Sequence, residues 1–324
     1  MAASPADRVP PQLVLAAAAL SLQVGAAVAT LLFPALGATG VLALRMGVGA
    51  LCLVVLGRAW RAVPRGRTRG LVVAFGAVLG TMNLLFYLSL ERIPLGVAVA
   101  LELLGPLGVA VAGSRTRRHL LWVALAVAGL AVLLGPTVLG EASAGGAGAG
   151  LDPAGVALAL AAGAAWAGYI LLGSRLAGAV SGTAGLAWAM VAASAVLVPL
   201  GAATAGAALL EPEHLLAGAA VALLSGVLPY SLELATLRRL SPRAFGVMMS
   251  LEPAVAVLAG LVVAGQRPGP AALAGIALVV AASLGAVPGS AEASAEAAPD
   301  AAAGAAPGAA LEERGPGVDA VGPG

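Results

Sequence analysis

Lysine is missing from all 324 residues, and one cysteine and two histidines are all that stand beside 17 arginines and 15 carboxylates. Each scarcity excludes something. Cys52 alone builds neither a disulfide framework nor a thiolate cluster, so no metal and no cofactor is expected. His119 and His214 fall at the ends of apolar segments. Neither belongs to a His-Glu-x-x-His pair or to a readable Ser/His/Asp arrangement, so the chain is not expected to be an enzyme. A formal net charge of +2 leaves no basis for a nucleic-acid partner. The exclusive use of arginine reads as the mark of a GC-rich bacterial genome rather than of mechanism. Charged residues make up only 10% of the chain, whereas apolar residues reach 60% and the mean hydropathy is +1.02. That balance is foreign to a soluble domain and predicts an all-α integral membrane protein in a lipid bilayer.

Apolar stretches long enough to span a bilayer core of ~30 Å follow one another with short connections. After a polar lead over 1–11, spans are expected at about 12–33, 38–57, 70–90, 93–113 and 119–135, making a first unit over 12–135. The first span is followed at once by others and reads as permanent rather than as a cleaved signal. A Gly/Ala/Ser-rich linker over 136–152 leads to a second unit over 153–287, with spans at about 153–173, 183–203, 214–234, 242–265 and 268–287. The tail over 288–324 is too poor in large apolar residues to fold, and disorder is expected there. With both termini in the cytoplasm, fourteen arginines lie inside and two, Arg92 and Arg267, outside, leaving Arg45 within a span. Five spans per half reverse the orientation of the second half, so ten helices form two inverted repeats. Such a plan carries substrate sites near the midplane between halves.

The halves also match in detail. A shift of 147 places Leu90 on Leu237, Arg92 on Arg239, Asn83 on Tyr230, Pro106 on Pro253 and Gly113 on Gly260. Within Leu90–Gly113, Glu102 sits near mid-span and Pro106 follows one turn later. Proline lacks an amide hydrogen and crowds the carbonyl four residues back, which is that of Glu102, so the helix should open where the charge sits. Glu252 directly precedes Pro253, and pre-proline sterics should loosen the ninth helix there. Ionisable groups inside spans are expensive and need a cavity or a partner. Arg45, Glu102, Glu233 and Glu252 are therefore candidates for substrate binding or proton coupling, with Arg45 attracting a carboxylate or pairing with a glutamate. A purely structural buried ion pair stays open as the other reading, and Glu233 sits close enough to a span end to reach the interface. Asn83, Tyr230, Gln23, Thr81, Tyr87, Trp166, Tyr169 and Ser231 add polar or aromatic groups, some lining a pathway and others only packing. Gly76 to Gly80 fits the Gly-x-x-x-Gly contact pattern, but among 45 glycines a chance match is expected.

RIPLGVAVALELLGPLGVAV from Arg92 to Val111 and LPYSLELATLRRLSPRAFGVMMSLEPAVA from Leu228 to Ala256 resemble the EamA-type transporters of the drug/metabolite transporter superfamily, within them the threonine and homoserine exporters. The resemblance covers residues 12–287. It implies a bacterial inner-membrane exporter of small neutral amino acids, exchanged against protons, or else an EamA-type exporter of another metabolite or drug. The linker and the acidic tail have no counterpart in that resemblance. Neither the oligomeric state nor the coupling stoichiometry can be read from it.

Overall fold

In a computed structural model, residues 10–112, 118–138, 151–179, 184–229, 232 and 250–286 are described. All regular structure among them is helical: α1 Pro11–Leu31, α2 Phe33–Leu56, α3 Arg67–Leu90, α4 Leu95–Glu102, α5 Leu104–Ala112, α6 Arg118–Val138, α7 Pro153–Ala179, α8 Ala184–Ala205, α9 Pro212–Ala222, α10 Glu252–Ala264 and α11 Pro270–Ala286. Five helical stretches are long and apolar enough to cross a bilayer, namely Leu13–Leu31, Phe33–Leu56, Arg67–Leu90, Pro153–Leu176 and Ala184–Leu210. Large apolar side chains point outward from these and the shorter helices, Leu51, Val196 and Val262 among them. Such a surface suits lipid rather than water, because hydrocarbon has no preference for a polar exterior.

Small residues set how closely the helices approach. Helix α2 packs against α8, α3 against α7 and α8, α1 against α10, α6 against α11, and α4 against both α7 and α10. The pair Gly76 and Gly80, taken from sequence as a chance match, is used. A Cβ on Gly76 would stand 2.8 Å from the Ala192 Cβ, and one on Gly80 would stand 3.2 Å from the Ala193 Cβ. Helix α3 thus lies against α8 through small residues on both sides, which one sequence could not reveal because the partner alanines are over a hundred positions away.

Helix starts and breaks fall where local chemistry demands. The span over 93–113 divides at Leu103, between α4 ending at Glu102 and α5 beginning at Leu104, where Pro106 has no N–H for the Glu102 carbonyl. Residues Leu103 and Leu107 still donate to the carbonyls of Val99 and Leu103, at 3.0 and 3.1 Å, so the opening is a narrow notch rather than an unwound segment. Helix α10 starts at Glu252 with Pro253 in its first turn, just after Leu251 at φ −86°, ψ −8°. In α2, Gly37 takes φ +65° and ψ 168°, a conformation that favours glycine, and the following Ala38 N–H donates to Glu91 Oε1 at 2.6 Å. The helix that matters to the site therefore begins afresh at Ala38, as its apolar pattern predicts.

Candidate functional site

Arg45 lies mid-way along α2 and is 5% exposed. A guanidinium so placed must find acceptors nearby, since water cannot reach it in number. Its Nε donates to Ser225 Oγ at 2.8 Å, its Nη2 to the Ser225 carbonyl at 2.7 Å, and its Nη1 to Asn83 Oδ1. Serine carbonyls inside helices are ordinarily spoken for. Here the chain makes a π-helical turn over Leu223–Val227, in which the Leu228 N–H bonds the Leu223 carbonyl five residues back and the Ser225 carbonyl accepts from Arg45. The neighbouring Leu224 carbonyl is taken by Ser21 Oγ of α1 at 2.7 Å. Helix α1 reaches this turn because Gly25 has no side chain: a Cβ there would be 2.8 Å from both the Cβ and the N of Ser225. Asn83 is oriented in turn by its Nδ2, which donates to the Leu79 carbonyl at 2.9 Å. One turn further along α3, the buried Tyr87 ring lies under the guanidinium, 5.4 Å from its carbon to the ring centroid. Among the described residues the Tyr87 hydroxyl has no hydrogen-bond partner.

Glu102 closes α4 at 8% exposure, and among the described residues it forms no hydrogen bond or ion pair. The Glu102 backbone lies against Gly163 of α7, where a Cβ would be 2.7 Å from the Glu102 carbonyl oxygen. Glu252 opens α10 at 3% exposure, and the Leu251 carbonyl before it accepts from Ala254 and Val255 at 3.0 and 3.2 Å. Helices α4, which ends on Glu102, and α10, which begins on Glu252, pack together.

The candidate residues therefore separate. Arg45 and Asn83 touch and Tyr87 joins them, whereas Glu102 has no hydrogen bond or ion pair to any of the three. Of the two expectations for Arg45, a glutamate partner is not met among the described residues, and its direct partners are neutral dipoles. Gln23 is buried, Thr81 is exposed, and Tyr169 stacks on Phe75 at 4.7 Å as a packing residue. Trp166 packs against the core around α4. Glu233, Tyr230 and Ser231 lie outside the described residues. Ser225 and Ser21 escaped sequence reasoning: a single serine in an apolar run bonds an earlier carbonyl as a matter of course, as Ser225 Oγ also does to Val221 O at 2.7 Å.

A second polar group occupies the helix ends away from the arginine-rich connection of 57–66. Arg92 Nη1 donates to Asp152 Oδ2 at 2.9 Å, and Asp152 Oδ1 accepts from Ala154 N at 2.8 Å. The Arg92 hydrogen bond, and after it that backbone bond, hold the exposed Asp152 carboxyl below the usual carboxylate range. Gln266 Oε1 accepts from Leu95 N at 2.9 Å, across the start of α4. Beside these groups a cavity of about 440 Å³ is lined by Thr30, Leu31, Phe33, Pro34, Leu90, Glu91, Ala264 and Gln266. Glu211, Glu213 and His214 bring potential ligand atoms within 4.8 Å of one another at the start of α9, but both glutamates are exposed and His214 Nδ1 already meets the Ala208 carbonyl at 2.8 Å.

Comparison with known proteins adds three findings. Residues 153–287 match the EamA-like transporter family. The threonine/homoserine exporter RhtA of Escherichia coli strain K12 is 45% identical over 276 residues, which is 85% of this chain and 90% of that protein, and the exporter of the same name from Salmonella typhimurium strain LT2 matches to the same extent. A solved crystal structure shares the fold with a TM-score of 0.56 at 22% identity, covering 85% of this chain and 96% of that one.

Proposed function

This chain belongs to the EamA-like transporter family, and from that premise we propose that it exports small neutral amino acids of the threonine and homoserine type, in exchange for protons, by alternating access. The observation that carries the reading is the 45% identity to threonine/homoserine exporters over 85% of the chain. Its architecture on this reading is ten spans in two inverted five-helix halves, both termini cytoplasmic, in the bacterial inner membrane. The packing supports that plan. Exchanging the halves turns α3 on α7 into α9 on α1 and α3 on α8 into α9 on α2, and pairs α4 on α7 with α10 on α1. Each of these contacts occurs, while α2 on α8, α6 on α11 and α4 on α10 map onto themselves.

The site then works with its own groups. A guanidinium has five N–H donors. With three engaged by Asn83 and Ser225, Arg45 keeps two for a substrate carboxylate. The substrate ammonium and a proton compete for the Glu102 carboxylate, so outward delivery of one and inward return of the other alternate. Glu252, on the matching helix of the second half, plays the corresponding part there, and the notch at Leu103 and the helix start at Glu252 let the two halves rock without breaking continuous helices.

Efflux of labelled threonine and homoserine from proteoliposomes, with and without a proton gradient, tests this directly. Glu102→Gln and Glu252→Gln should each lower efflux at least about a hundredfold while leaving membrane insertion intact, because neither amide can take up a proton. Full efflux by both variants overturns the assignment. Wild-type efflux of neither amino acid turns the reading toward another metabolite or drug.

A further inference from the structure

The cavity at the ends of α1, α3 and α10 has no part in the site just described, and its polar lining is unusual in being held still. Glu91 Oε1 is fixed by the Ala38 N–H at 2.6 Å, where α2 restarts after Gly37. Gln266 Oε1 is fixed by the Leu95 N–H at 2.9 Å. Because a backbone N–H requires an acceptor, that bond also decides which way the Gln266 amide points. Each group therefore spends one oxygen on a helix start and presents its other atom: a carboxylate oxygen from Glu91, an N–H donor from Gln266. Neither makes a further side-chain hydrogen bond among the described residues. Both line the same open depression of about 440 Å³, with Glu91 exposed and Gln266 half-buried, together with the apolar Leu31, Phe33, Pro34 and Leu90.

A held negative oxygen and a held N–H donor in one small cavity complement the two ends of a zwitterionic α-amino acid. We infer that this vestibule is an exit subsite, in which Glu91 takes the ammonium and Gln266 the carboxylate of the departing substrate. The inference rests on the proposed amino-acid export, and on the orientation that puts this end of the helices outside. Phe33 connects the subsite to the interior: it lines the cavity, and its ring centroid is 6.0 Å from that of Tyr87, which lies under Arg45.

The test uses right-side-out membrane vesicles loaded with labelled threonine, and reads the external concentration of unlabelled threonine that halves each protein's own efflux. Glu91→Gln keeps an acceptor for Ala38 while removing the charge, and Gln266→Glu keeps an acceptor for Leu95 while replacing the donor with a negative oxygen. Each should raise the half-inhibiting concentration about tenfold, the loss expected for one charge-assisted hydrogen bond. Glu91→Ala should do the same and, by uncapping Ala38, also lower the unfolding temperature. An unchanged value in Glu91→Gln overturns the subsite. A shift confined to Glu91→Ala overturns it too, since Glu91 would then be a helix cap alone. Wild-type vesicles that move no threonine overturn the export reading on which the subsite rests, a result distinct from active wild type with unaltered variants.

Discussion

Arg45 is 5% exposed and touches no carboxylate among the described residues, whereas the Arg92 side chain is 48% exposed and holds Asp152 at 2.9 Å. The arginine with an ion pair is the less consequential of the two. Arg92 and Asp152 trade water for each other at the surface, a nearly even exchange that salt screens further. Arg45 has little water to return to. Its charge is balanced by neutral dipoles, the Ser225 carbonyl and hydroxyl and the Asn83 amide, with the Tyr87 face beneath. Dipoles stabilise a charge without cancelling it, so a guanidinium held this way keeps its field for neighbouring groups. A salt bridge at the same position would have neutralised it.

Removing Arg45 should have the largest effect. Arg45→Met leaves the outward Ser225 carbonyl and the Asn83 oxygen without a donor, and buried unsatisfied groups cost about 1–3 kcal/mol each. We expect a clear loss of thermal stability in detergent and loss of export. Arg45→Lys should fail to restore either, because a single ammonium cannot reproduce the three-way fork. Asn83→Asp sharpens the comparison by converting the buried arrangement into an ion pair like that at the surface. It should retain the fold but reduce threonine efflux about tenfold or more, as the neutralised Arg45 keeps no field for neighbouring groups; wild-type efflux from this variant would show that the field has no use. Ser225→Ala removes the Nε acceptor while the carbonyl remains, and should cost about 1 kcal/mol by thermal unfolding.

The smallest effects belong to the surface. Arg92→Gln or Asp152→Asn should leave the unfolding temperature within experimental scatter at neutral pH. The sign of its pH dependence is set by the lowered Asp152 pKa. Whatever the pair contributes is present above the usual aspartate range and is lost only as the pH falls through that lowered value, so a neutral-to-acid unfolding series should show no step near neutrality. A large drop on breaking this pair would reverse the ranking of the two arginines.

Much of this contrast was legible in the chain. Arg45, Glu102 and Glu252 stood out because charge inside an apolar span is costly, and the break at Leu103 followed from the missing N–H of Pro106 alone. The restart of α2 at Ala38 was likewise readable from the apolar pattern. Other features were not. Ser225 looked like any serine in a span, because the π-helical turn that carries it has no residue signature. Gly76 and Gly80 looked accidental until Ala192 and Ala193 were found opposite them. Glu91 falls between two expected spans and carries no signal in the sequence, although it supports the start of another helix 53 positions away.

By itself the sequence determined the apolar segments, the expensive charges within them and the points where proline interrupts a helix, since each depends on covalent chemistry within a turn or on the cost of a group in hydrocarbon. Only the tertiary structure decided how those charges are accommodated. The acceptors of Arg45 come from 38 and 180 residues away, and the caps of α2 and α4 from 53 and 171. Such pairings are chosen by which backbones can approach, here through glycine and alanine, and no local pattern encodes a partner that packing supplies.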